Sequence, residues 1–170
     1  MPDLTLETGV IHLWIVRLAP DLRFGSLQKT LSASELERAN RYRFERDRTR
    51  FIVARGTLRD LLGRYLQLCP SAVQLEYTPK GKPFTSHLLA GHSLAFNLSH
   101  SGDIICFAFS LDCDLGVDVE EKRPLAELAE VAQSHFSAPE TEAILRVTGD
   151  ARLDIFYQLW VRNEAYAKAR

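Results

Sequence analysis

An α+β fold is predicted by three observations. Residues 94–120 read as three short strands joined by two tight turns. Phe51, Ala54, Leu58, Leu61, Leu62 and Tyr65 recur at helical spacing. Leu153, Tyr157 and Trp160 do the same on a final helix over 151–170. The 170 residues suffice for a sizeable core, and 46% hydrophobic with 25% charged residues is ordinary for a globular protein. The opening residues carry Asp3 and Glu7 and no apolar stretch, so no signal peptide is expected. No run of about 18 apolar residues is present, and no membrane span is expected. Cys69, Cys106 and Cys113 are odd in number and lack a C-x-x-C pair. Neither a disulfide framework nor a zinc knuckle is suggested, and a reducing cytoplasm is the expected location.

In chain order, residues 10–18 are a strand candidate ended by Pro20. Ser32 and Glu35 have capping-box spacing and start a helix that carries Arg38, Arg41 and Arg43. The longer helix that follows is stopped by Pro70. Between Arg38 and Arg64 nine arginines face three acids, so this segment carries +6 and the remainder −7 of a net −1. Three readings of the arginines stand: a solvated helix face, a nucleic-acid surface, or a site for a phosphate-bearing small molecule. The segment lacks the interleaved aromatic platform that nucleic acid would use.

Residues 73–77 alternate as a strand. Thr78 to Pro83 form a turn holding Lys80 and Lys82, where Gly81 admits a close approach by backbone or ligand. Residues 85–92 read as surface loop, with His87 and His92 exposed. In 94–120, Leu94, Phe96 and Leu98 alternate with Asn97 and Ser99. Ser101, Gly102 and Asp103 turn the chain into 104–111, apolar enough to be buried on both faces, with Cys106 as a packed thiol. The third strand, 115–120, sends Val117 and Val119 one way and Gly116, Asp118 and Glu120 the other. Carboxylates two residues apart on one strand face stand about 6.5–7 Å apart. They can converge on a hard cation, with Gly116 leaving room for a ligand, or simply form an exposed acidic face.

Residues 125–134 have helical spacing. Ser137 and Glu140 repeat the capping-box signal, with Pro139 in the first turn. Asp150 is placed to cap the last helix. There Trp160, Glu164 and Lys168 continue the apolar stripe, so the Glu164–Lys168 pair faces inward, unless it is an ordinary surface pair.

Read in order, Gly81-Lys82-Pro83, Phe96-Asn97-Leu98-Ser99-His100-Ser101 and Gly116-Val117-Asp118-Val119-Glu120 form a series. Phe136-x-x-x-Glu140 and Trp160-x-x-x-Glu164-Ala165-x-x-Lys168-Ala169 complete it. The series resembles the 4′-phosphopantetheinyl transferases of the larger, surfactin-synthetase-activating type, across nearly the whole chain. The resemblance implies two similar α/β halves about a pseudo-twofold, near 1–112 and 113–170. It implies transfer of the phosphopantetheine arm of coenzyme A to a serine of an acyl or peptidyl carrier protein. It implies Mg²⁺ held by Asp118, Glu120 and Glu164, with Glu164 also as base and Lys168 stabilising the departing nucleotide. Ser99, His100, Lys82 and one or more of Arg38, Arg50 and Arg55 would contact the coenzyme phosphates. His100 read alone is a hydrogen-bonded turn residue.

Two departures stand out. Asn163 occupies a position where the family has lysine, and the chain stops at Arg170 where relatives continue. The expectation is therefore a second half without its closing strands, with a non-catalytic remnant that binds coenzyme A or a carrier protein as the alternative. Neither nucleic acid nor membrane is an expected partner, and a full-length form would be a monomer.

Overall fold

A computed structural model of the chain describes residues 4–19 and 24–170; Asp3 and the expected strand terminator Pro20 lie outside the described residues. Strand β1 (His12–Arg17) sits inside the expected 10–18 segment. Helices α1 (Gly25–Gln28), α2 (Ala33–Asn40) and α3 (Glu45–Leu66) follow. Both bonds of the Ser32 capping box form: Glu35 N donates to the Ser32 hydroxyl and Ser32 N donates to Glu35 Oε2. Helix α3 ends ahead of Pro70, because Gln67 turns left-handed (φ 55°) and its N–H closes on the Gly63 carbonyl.

Of the strand expected over 73–77 only β2 (Glu76–Tyr77) forms, paired with β3 (Pro83–Phe84). Val73 is drawn into the core instead. The expected loop 85–92 contains β4 (Leu88–Leu89), which turns through Ala90 and Gly91, both at positive φ, into β5 (His92–Ser101). β5 and β6 (Ile104–Leu111) make the expected hairpin. Gly102 takes φ 55° at the first of its two turn positions, where a Cβ would be strained. The sheet is antiparallel with order β1–β6–β5–β4.

One face of this sheet, including Phe96, Phe107 and Phe109, packs on Leu58, Leu62 and Tyr65 of α3 in the main core. Fully burying such a side chain contributes about 1.5–3 kcal/mol, so this layer is what fixes the sheet on the helix. β6 is buried on both faces, as its unbroken apolar run requires. Helix α3 is not simply a solvated arginine face. Arg59 is 4% exposed, donating to Glu35 Oε2 at 2.7 Å and to the Pro70 and Val73 carbonyls.

The third expected strand is the main correction. Residues 114–125 join no sheet, and Asp118 and Glu120 lie on this unpaired segment. The chain then forms α4 (Leu128–His135), α5 (Ala138–Leu145) and α6 (Gly149–Ala169). These three share a separate core of Leu128, Ala132, Ile144 and Phe156. The Ser137 capping box forms as expected, whereas Thr148 rather than Asp150 stands at the N-cap of α6. No helix among the described residues is long and apolar enough to cross a membrane.

Candidate active site

The second face of β5 explains how 114–125 is held without a sheet. Asn97, Ser99 and Ser101 sit at alternate positions, so their side chains leave one face of the strand. Asn97 Oδ1 accepts from Val117 N at 3.0 Å. Ser99 Oγ donates to Asp118 Oδ1 at 2.7 Å, and Ser101 Oγ donates to Glu120 Oε2 at 2.7 Å while accepting from Glu121 N. Three side chains thus set the register that a strand ladder would otherwise set. Asp118 is carried over the sheet close enough to Cys106 that burial, and then the Asp118 charge, hold that thiol above its ordinary pKa.

Helix α6 closes the other side. A Cβ on Gly116 would lie 1.9 Å from the Ala165 carbonyl oxygen, so the space beside Gly116 belongs to the α6 backbone and not to a ligand. This contact brings Lys168 Nζ to 2.5 Å from Asp118 Oδ1 and 3.0 Å from Ser99 Oγ. Lys168 therefore pairs across the interface rather than with Glu164. The Asp118 side chain is 3% exposed, and its Oδ2 is buried with no hydrogen-bond partner among the described residues. Lys82 Nζ donates to the Leu115 and Lys168 carbonyls at 3.0 and 2.6 Å, tying the 78–83 turn to α6. Gly81 earns its place through its positive φ of 81°, since nothing lies within 4 Å of a Cβ there.

These pieces border a cleft of about 950 Å³. Ser99, Asp118, Glu120, Glu164, Lys82 and Lys168 all line it. A smaller recess of about 230 Å³ is lined by Arg38, Arg50, Arg55 and His100, and it shares Arg55 and His100 with the cleft. Arg55 is 8% exposed, and its Nη1 is buried without a partner among the described residues. Its guanidinium lies over the Phe51 and Tyr77 rings. Arg50 donates to the Gly102 carbonyl at 3.0 Å. Desolvation first, then the Arg50 charge, hold the His100 imidazole below its ordinary pKa. Three arginines line this recess, and a guanidinium nitrogen without a partner among the described residues has the chemistry that suits an anion.

The residues that the resemblance names for the coenzyme and the cation (Arg38, Arg50, Arg55, Lys82, Ser99, His100, Asp118, Glu120, Glu164 and Lys168) border the cleft or its recess, whereas Gly116 does not. The carboxylates are not drawn into one cluster: no three His, Cys, Asp or Glu side chains among the described residues stand close enough to hold a metal ion. Asn163 Nδ2 donates to Glu140 Oε1 at 3.3 Å. The sequence reading missed the tethering roles of Asn97 and Ser101. The i, i+2, i+4 polar face of β5 was the signal that could have found them.

Comparison with known proteins identifies this assembly. A family model described as 4′-phosphopantetheinyl transferase, N-terminal, matches residues 20–111. A second, the 4′-phosphopantetheinyl transferase superfamily, matches residues 114–170. The chain is 38% identical over 169 residues to the 4′-phosphopantetheinyl transferase HetI of Nostoc sp., covering 99% of this chain and 71% of that protein. It is 30% identical over 138 residues to the 4′-phosphopantetheinyl transferase Sfp of Bacillus subtilis, covering 81% of this chain and 59% of that protein. To the 4′-phosphopantetheinyl transferase AcpT of Salmonella typhi it is 38% identical over 112 residues, 66% of this chain and 55% of that protein. The chain thus spans between about half and three quarters of the length of these relatives. With both halves matched in order, the chain belongs to the 4′-phosphopantetheinyl transferase superfamily.

Proposed function

We propose that the protein is a Mg²⁺-dependent transferase that moves the phosphopantetheine arm of coenzyme A to a serine of an acyl or peptidyl carrier protein in the cytoplasm. One observation carries the reading. The same cleft presents a buried guanidinium, Arg55, and a buried carboxylate, Asp118, each with an atom lacking a partner among the described residues. A phosphorylated ligand bound with a divalent cation satisfies both at once. In this reading residues 1–112 supply Arg38, Arg50, Arg55, Lys82, Ser99 and His100 to the coenzyme phosphates. Residues 113–170 supply the carboxylates.

Asp118, Glu120 and Glu164 would be the residues to hold a hard divalent cation: each offers carboxylate oxygens, and Asp118 Oδ2 has no partner among the described residues, although the three do not stand together as one cluster here. When bound, the cation neutralises the pyrophosphate and stabilises the charge that develops on it. Glu164, on the cleft wall, takes the proton of the carrier serine hydroxyl, a contribution of about 10²–10⁴-fold for a positioned base. The serine oxygen bonds to the phosphorus that bears the pantetheine arm. The pyrophosphate P–O bond breaks, and its electron pair leaves with the nucleotide. Lys168 offers an ammonium to that departing charge once it is released from Asp118.

Incubation with an apo carrier protein, coenzyme A and Mg²⁺ tests the proposal: the carrier serine gains the mass of the phosphopantetheine arm. The Lys168–Asp118 ion pair favours a second reading, in which coenzyme A binds without transfer. Binding with no mass gain is its signature.

A further inference from the structure

We infer that Tyr77 is a positioning residue: its ring holds the Arg55 guanidinium at the wall that the cleft and the arginine recess share. The inference rests on the transferase reading above, in which Arg55 meets a coenzyme phosphate. Arg55 is 8% exposed, and its Nη1 is buried with no hydrogen-bond partner among the described residues. A cation so placed must draw its stabilisation from something other than water. Two rings supply it: the guanidinium carbon lies 5.5 Å from the Tyr77 centroid and 5.8 Å from that of Phe51. At these distances the negative face of an aromatic ring attracts a cation. Phe51 is shared, because Arg38 stands over the same ring at 5.3 Å, and two like charges on one ring repel each other. Among the described residues Tyr77 meets no second guanidinium, so it is the ring that serves Arg55 alone.

The backbone sets Tyr77 where this contact forms. Tyr77 pairs with Pro83 at the base of the 78–83 turn, and Thr78 N donates to the Lys82 carbonyl at 2.9 Å. The turn residues themselves line the cleft, whereas Tyr77 lines neither the cleft nor the recess. Its effect on a bound phosphate is therefore routed through Arg55. Without the ring the long arginine side chain regains rotamers, and that freedom must be lost again when an anion binds. Tyr77 is 46% exposed, so its replacement leaves the core intact.

The test follows, by titration calorimetry without divalent cation, the binding of coenzyme A and of inorganic pyrophosphate to wild type and three variants. These are Tyr77→Leu, Tyr77→Phe and Tyr77→para-cyanophenylalanine, whose nitrile draws electron density from the ring face. Removal of one cation–ring contact predicts that Tyr77→Leu weakens both ligands about fivefold. Tyr77→Phe keeps a ring and stays within about twofold of wild type, while the cyano variant falls to the level of Tyr77→Leu. A ring that acted by bulk alone would not follow the electron density of its face. The inference is overturned if Tyr77→Leu binds both ligands as wild type does, or if the cyano variant matches Tyr77→Phe. It is also overturned if coenzyme A binding falls while pyrophosphate binding does not, since the ring would then touch the coenzyme directly. Wild-type protein that binds neither ligand overturns the transferase reading itself, and this inference with it.

Discussion

Replacing Gly116 by alanine is the most direct perturbation of the contact between α6 and the carboxylate segment. The added Cβ falls 1.9 Å from Ala165 O and 2.7 Å from Ala169 N, both backbone atoms that cannot swing away as a side chain could. Ordinary contact begins at 3.4 Å, so the helix must retreat by about 1.5 Å near Ala165. Ala165 adjoins Glu164 and Ala169 adjoins Lys168, so the retreat moves both residues away from Asp118. Overpacking of this kind costs about 1–3 kcal/mol. At roughly 2–4 °C per kcal/mol for a chain of this size, the melting temperature should fall by about 2–12 °C. A misplacement near 1 Å can cost about 10²-fold in rate, so carrier modification should fall by about two orders of magnitude. A thermal melt followed by circular dichroism and mass-detected carrier modification read the two effects separately. A Gly116→Ala protein that melts within about 1 °C of wild type and keeps its rate would refute the close approach. The space beside Gly116 would then be open, as the sequence alone suggested.

Three further outcomes are expected. Arg59→Met leaves the buried Glu35 carboxylate without its cation and should cost about 3–5 kcal/mol in a denaturant melt, whereas the double replacement Glu35→Leu/Arg59→Met should recover part of that loss. Lys168→Met frees the buried Asp118 for a cation, so Mn²⁺ should bind more tightly while carrier modification slows; weaker Mn²⁺ binding would show that Lys168 does not compete for that carboxylate. His100 has a pKa held below its ordinary 6.5. Its contribution to stability is therefore present above pH 6.5 and lost as pH falls through the depressed value. A coenzyme phosphate favours the protonated ring, so coenzyme A affinity should rise as pH falls from about 8 to 6, more steeply than for the 3′-dephospho form, and His100→Gln should flatten the difference.

Features governed by neighbours in sequence were legible from the sequence by itself. Both capping boxes, at Ser32 and Ser137, depend on residues three apart, and both formed. The β5–β6 hairpin followed from alternation and a glycine at the turn, and the full burial of β6 followed from its unbroken apolar run. The residues that ordered motifs and a family resemblance named for the site all border the cleft or its recess.

What only the tertiary structure decided were the pairings between distant segments. The alternation in 115–120 marks an extended chain, but a strand also needs a backbone partner, and here side chains of β5 take that place. Glu164 and Lys168 have ideal spacing for each other. An exposed helical pair is worth only about 0.3–0.5 kcal/mol, so the buried Asp118 carboxylate draws the lysine away. Arg59 reads as a solvated charge until its partners are known, and those are Glu35 and two carbonyls beyond the end of α3. The same holds for Gly116, whose missing side chain has meaning only once α6 lies against it. Local propensity and spacing act through short stretches of chain, whereas burial and charge pairing depend on which segments the fold brings together.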